Sequence, residues 1–261
     1  MEITDQRIYN SNLIKGPGLI QETLVLLEAY NPEENSLAFQ KRVVSTGILS
    51  KSTDNRVVDI VRNVFTDRFL GYKIDVPVFI KGMRDNHVSI DVITQLFFLY
   101  ACRANPILGD FVREVFFPLT LKSFAKLQSS DPKNFIKDAL SDGRIPISWS
   151  ESTINKVSRN IMTSLKDFHL IEKDKTILPY RIIDLSANYL VHELHFRGFS
   201  DNDIWKHKDW ELFGLDPGEV IKTIERISFY GSFIFQFSGE ILKLSWKNSS
   251  IEEFISNECR Q

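Results

Sequence analysis

Apolar residues return at three- and four-residue steps through most of the chain, and that period predicts one helix after another. After Gly16-Pro17-Gly18, the residues Ile20, Leu24 and Leu27 form such a stripe, flanked by Leu19, Leu26 and Tyr30, until Asn31-Pro32 ends it. Pro17 reads as the opening of this helix, because the N–H that proline lacks has no partner in a first turn. A short helix is expected at about Ser36–Ser45, then a turn around Gly47. A second helix should start at Ser52 or Thr53, both good N-caps, and run to Phe69. Its stripe is Val57, Val61, Val64, Phe65 and Arg68, and Gly71 stops it. Further helices are expected at Asp75–Arg84, Ser89–Ala104, Ile107–Phe117 and Leu119–Gln128. The run Val92–Cys102 is the most apolar, about half of what a membrane-spanning helix needs, and reads as a buried core helix.

Ser129-Ser130-Asp131-Pro132 is the expected boundary between an N-terminal helical domain (1–128) and a C-terminal part (129–261). Beyond it the pattern predicts a helix at Pro132–Ser141, an extended piece at Ile145–Ile147, and a helix opened by the capping-box spacing of Ser148 and Glu151. Ile154, Val157, Ile161, Leu165 and Phe168 give that helix its apolar face. Leu170–Leu178 reads as two short strands around a charged turn. Helices then follow at Ile183–His195, Asp201–Phe213 and Pro217–Ser228. Residues 233–246 alternate around Ser238-Gly239 as a hairpin does, and a helix at Ser250–Asn257 closes the chain. The fold class is mainly α: a multi-helix globular protein with helix-turn-helix or winged-helix elements and a small C-terminal β-hairpin.

Composition adds three constraints. An apolar share of 43% with 25% charged residues suits a globular core, and 20 phenylalanines supply bulk for packing helices. The net charge of −2 means that any surface for a polyanion must be local. The two cysteines, Cys102 and Cys259, make neither a metal-ligand spacing nor a disulfide framework, which suits a reducing cytoplasm. The N-terminus has no apolar stretch behind a basic start, so no signal peptide is expected.

Two segments concentrate positive charge. Residues 36–73 carry seven basic against three acidic residues, a net of +4, on a helix pair with glycine in its turn. That is the outline of a helix-turn-helix, whose second helix offers the start of its exposed side to DNA. Here that side shows Lys51, Ser52, Asn55, Arg56 and Arg62. Residues 132–183 carry nine basic against six acidic residues, a net of +3, in the order helix, strand, helix, wing. Ser152, Asn155, Lys156, Arg159, Asn160 and Thr163 face away from the apolar stripe, and Lys173 and Lys175 sit at the wing tip. Hydroxyl, amide and cationic side chains of this kind bond to phosphates and base edges. The bland alternatives are a helical hairpin with a solvated basic face and a winged helix used for protein contacts.

The enzyme motifs fail on spacing. His192 and His195 are three apart, whereas a helical zinc pair with a glutamate base needs four. Gly16-Pro17-Gly18 lacks the Gly-Lys-Ser/Thr ending of a phosphate loop, and no Gly-x-Ser-x-Gly elbow occurs. Glu240 and Lys243 project from opposite faces of their strand. The expectation is a protein that performs no chemistry and needs no cofactor or metal.

The N-terminal third resembles the BrxA family of BREX bacteriophage-exclusion islands. The residues that carry the resemblance are Tyr9-Asn10, Leu13–Gly16, Leu19 with Glu22-Thr23, Gly47–Thr53, Asn55-Arg56 and Val64–Phe69. Weaker similarity continues through the winged segment and Leu244-Ser245-Trp246. The resemblance implies a mostly helical protein with helix-turn-helix elements that binds double-stranded DNA. It also implies a place beside the methyltransferase, ATPase and phosphatase-like components of the defence system. The rival reading is an adapter without DNA contact, anchored by Trp205, Trp210 and Phe213; a small enzyme is a more distant third.

Overall fold

In a computed structural model, residues 8–51, 53–121 and 126–259 are described. A 3-10 turn at Asn12–Lys15 leads to α1 (Ile20–Ala29) and α2 (Ser36–Thr46). The third helix, α3, runs as Asp54–Ile60, a π-helical Val61–Thr66 and Asp67–Phe69. Then come α4 (Val76–Asp85), α5 (Ile90–Ala104) and α6, whose parts are Pro106–Phe111, a π-helical Val112–Phe116 and Phe117–Thr120. The second half holds α7 (Asp131–Ser141), α8 (Glu151–Asp167), α9 (Asp184–Phe196), α10 (Asp201–Trp205), a 3-10 segment Lys208–Phe213 and α11 (Pro217–Ser228). The strands β1 (Phe233–Ser238) and β2 (Ile241–Trp246) pair antiparallel, and α12 (Ile251–Glu258) follows.

Local signals set most of these boundaries. Asn35, Thr53 and Ser150 each accept a hydrogen bond from the amide three residues on, the N-cap geometry that satisfies an otherwise orphaned donor. Asp216 and Glu219 form a reciprocal capping box. Gly47 ends α2 at φ 62°, a conformation that favours glycine.

The core is aromatic. Phe39, Phe65, Phe69 and Phe97 form a chain with centroid separations of 5.5–5.6 Å, and Phe98 touches Phe168, Tyr180 and Phe213. Such pairs add about 0.5–1.5 kcal/mol each beyond the area they bury. α5 is the central element: Val92 to Cys102 is buried throughout. The buried cluster draws on residues from both sides of Ser129–Pro132.

Several expectations needed correction. Pro17 does not open α1, which starts three residues later behind Leu19. The cap of α8 is Ser150, two residues beyond Ser148. Ile145–Ile147 is not a strand; Ile145 instead donates to the Ala139 carbonyl as a helix-terminating turn. The helix expected over Leu119–Gln128 ends at Thr120; residues 122–125 lie outside the described set, and Lys126 bridges Thr176. Asp201–Phe213 is split, because Trp205 is followed by a turn and a tighter 3-10 segment. Burial then rules out Trp210 and Phe213 as exposed anchors. Trp210 is 1% and Phe213 3% exposed, and the Trp210 indole donates to the Ile204 carbonyl at 2.8 Å.

A buried ionic network, invisible in the sequence pattern, ties α5, α9 and the 3-10 segment together. Arg103 forks onto Glu193 at 2.8 and 2.9 Å and reaches Asp209 at 2.7 Å. Burial alone would raise the Asp209 carboxyl, but Arg103 and then His207 hold it well below the usual range.

Candidate functional site

Residues 126–178 form one local unit. α7 and α8 pack on each other, and the chain then turns back through a short bridged hairpin. Ile171 bridges Ile177, and Leu178 donates to the Leu170 carbonyl. Lys126 bridges Thr176 from the other side, and Leu127 donates to the Lys175 carbonyl. Three short extended pieces therefore lie side by side next to α8. The chain leaving this unit is fixed to the core by Gln95, whose amide donates to the Arg181 carbonyl at 2.7 Å and accepts from Ile183 at 2.9 Å.

A groove of about 600 Å³ opens between α8, the hairpin turn and the start of α7. At 100° per residue, Asn155, Arg159, Met162, Thr163 and Lys166 fall on one face of α8, opposite its buried stripe. All five line the groove, as do Lys133 from α7 and Lys173 and Lys175 from the turn. Five cations thus face one carboxylate, Glu172. Among the described residues, Lys133, Arg159, Lys166 and Lys173 have no acidic partner within 4 Å, while Lys175 donates to the Ser129 hydroxyl at 2.5 Å. Nearby, Lys126 holds Asp174 at 2.6 Å, and its hydrogen bond pushes that carboxyl down to about 2. Of the two carboxylates at the turn, Asp174 is therefore already ion-paired, and Glu172 remains.

Of the sequence-based candidates, Asn155, Arg159, Thr163, Lys173 and Lys175 come together here. Ser152 and Lys156 are exposed on the same helix, but they lie beside the groove rather than in it. Asn160 is not available, because it donates to the Leu13 carbonyl at 3.0 Å. Lys133 and Lys166 contribute to the segment charge, but the exposed-face pattern does not single them out. Lys166 could have been found, since it extends the Asn155–Arg159–Met162 spacing by one turn. Lys133 could not, because only tertiary packing brings the start of α7 to this face.

The first basic segment is differently used. Lys51 is paired with Glu22 at 2.5 Å, Arg42 with Glu34 at 2.6 Å, and Arg56 donates to the Lys15 carbonyl. Arg68 is buried and donates to the carbonyls of Gly16, Pro17 and Gly18. Asn55 and Arg62 are exposed, and Ser52 lies outside the described residues. Much of the +4 therefore holds the N-terminal segment in place. That segment is gripped from α8 as well: Gly18 donates to Asp167 at 3.2 Å, and a Cβ at Gly18 would collide with the Asp167 side chain.

His192 and His195 are aromatic packing groups. His192 is buried, stacks on Phe254 at 4.2 Å and bonds the Asn188 carbonyl at 2.9 Å; His195 stacks on Trp246 at 3.8 Å. Among the described residues no cluster of three or more His, Cys, Asp or Glu is placed to hold a metal ion.

The BrxA family model matches residues 7–193, more than two-thirds of the chain and all of the groove. The chain belongs to the BrxA family. Membership implies a role in BREX phage defence. A crystal structure of an uncharacterized protein from Magnetospirillum magneticum superposes with a TM-score of 0.56 at 18% identity, covering 72% of this chain and 95% of that one. At that identity the likeness is one of fold. No curated protein matches the chain. Among the described residues no helix is long and apolar enough to cross a membrane.

Proposed function

We propose that the chain is a non-enzymatic, cytoplasmic accessory protein of a BREX system that binds double-stranded DNA through the α7–α8–hairpin unit. The observation that carries this reading is the groove with five cations and one carboxylate, none of those cations in an ion pair among the described residues, in a chain of net charge −2. Cations left unpaired against the overall charge favour a polyanionic partner. The order helix, helix, bridged turn, with Lys126 adding a second isolated bridge, supports reading the unit as a winged helix. α8 would then meet the major groove and the Lys173–Lys175 turn the adjacent backbone. Lys51, Asn55, Arg56 and Arg62 of the first segment, with Ser52, act as a secondary contact, because Lys51 and Arg56 must first leave Glu22 and the Lys15 carbonyl. Phosphate contacts dominate and sequence reading is modest. The methyltransferase, ATPase and phosphatase-like components of the system are the expected protein partners.

Fluorescence anisotropy with a duplex across a salt series tests this. Each phosphate contact contributes about −0.9 to the log–log slope, so five groove contacts give about −4 to −5. Arg159→Glu with Lys173→Glu should weaken binding and flatten that slope. No binding at low salt, or binding that ignores both substitutions, would overturn the assignment.

A further inference from the structure

Five of the twelve exposed large apolar residues among those described fall between 229 and 241: Phe229, Tyr230, Ile234, Phe237 and Ile241. They surround a two-stranded sheet whose two edges are treated differently. Lys247 donates to the Ser232 carbonyl at 3.1 Å, which sets the phase of the antiparallel ladder. Ile234, Gln236 and Ser238 therefore bond toward β2, and the main-chain groups of Phe233, Phe235 and Phe237 point away from it. By the same phase Leu242 and Leu244 point away from β1, and their amides are taken by Asn202 and Asp201 at 2.9 Å each. The β2 edge is closed by side chains. Among the described residues the outward groups of Phe235 and Phe237 on β1 meet nothing.

Exposed edges are normally guarded by charge, proline or a bulge. The strand Phe233–Ser238 has none of these: its register with β2 is unbroken and it carries no charge and no proline. The hairpin also lies beyond residue 193, outside the stretch matched by the family model, so this edge is a feature of the present chain's C-terminal part.

We infer that β1 is a self-association edge, on which a second copy of this chain adds its own β1 antiparallel to make a four-stranded sheet. The edge is complementary to itself. A two-fold axis at Gln236 sets Phe235 opposite Phe237 of the second copy and Phe237 opposite its Phe235. That uses the free outward groups in four main-chain hydrogen bonds. Ile234 then lies opposite Ser238 of the copy, and the two Gln236 side chains face each other. No charge meets a like charge, because Glu240 sits in the turn and Lys243 on β2. A two-stranded hairpin alone is marginal, and four strands relieve that.

Sedimentation velocity on the full chain, raised in steps to about 100 μM, reads the association; a pair with micromolar Kd is then mostly dimeric. The expected result is a dimer in which amide exchange at Phe235 and Phe237 slows as concentration rises. Gln236→Glu and Gln236→Lys each put like charges face to face across the axis and should weaken the dimer about two- to fivefold. An equimolar mixture of the two should recover it. Phe235→Pro removes an outward N–H without touching the β1–β2 bonds and should abolish association; circular dichroism checks its fold. A monomer at every concentration overturns the inference. So does a dimer indifferent to both Gln236 substitutions, or one in which Phe235 and Phe237 amides exchange at the same rate throughout. An edge occupied only by a strand of another protein would show as the monomer.

Discussion

Acidification from pH 7 to 5 should destabilise this protein through His192. The imidazole is buried, its Nε2 has no hydrogen-bond partner among the described residues, and burial, only partly offset by the Asn188 carbonyl, pushes its pKa down to about 4. The folded state therefore refuses a proton that the unfolded chain, at about 6.5, accepts. The contribution is complete above pH 6.5 and is lost as pH falls toward 4, where the loss reaches about 3 kcal/mol. Between pH 7 and 5 the loss is about 2 kcal/mol, or roughly 4–8 °C in Tm for a chain of this size. The window lies above the range in which most carboxylates titrate. Burial also lowers the pKa of His195, against a raising effect of Asp201, so it acts with the same sign. His192→Phe keeps the stack on Phe254 and removes the titration. Urea denaturation of both proteins at pH 7 and 5 should show the stability difference shrinking by about 2 kcal/mol in the variant. Equal pH dependence in the two proteins, or an NMR titration placing His192 near 6.5, would refute the reasoning.

Arg68→Leu strands three carbonyls that the guanidinium satisfies, and should cost about 3 kcal/mol or more in a denaturant titration; a loss below about 1 kcal/mol would show that the N-terminal segment holds without it. Glu193→Ala leaves Arg103 buried beside Asp209 with its fork empty, and should destabilise by about 3–5 kcal/mol; a neutral result would mean that the network is dispensable. Lys166→Glu should weaken duplex binding more than Arg62→Glu does, because Lys166 lies among the groove cations and Arg62 lies outside the groove, near Asp67; the reverse order would move the interface to the first segment.

The sequence by itself determined the helical class, the C-terminal hairpin and most element boundaries. Periodicity, caps and glycine turns are local signals, and local hydrogen bonding obeys them. It also placed Asn155 and Arg159 on one face of α8, because the helical period fixes angular position. What it could not determine was which charges are free. Lys51, Arg42 and Arg68 look like Arg159 in the chain, yet Glu22, Glu34 and three carbonyls consume them, and those partners are brought near only by packing. Lys133 joins the groove, and Lys126 reaches Asp174 beside it, for the same reason, across a turn and a bridge that no periodicity announces. The network of Arg103, Glu193 and Asp209 is also tertiary, since a charge can be buried only where its counter-charges converge. The family match rests on the sequence. The preference for one basic segment over the other as the proposed DNA-facing surface rests on the fold.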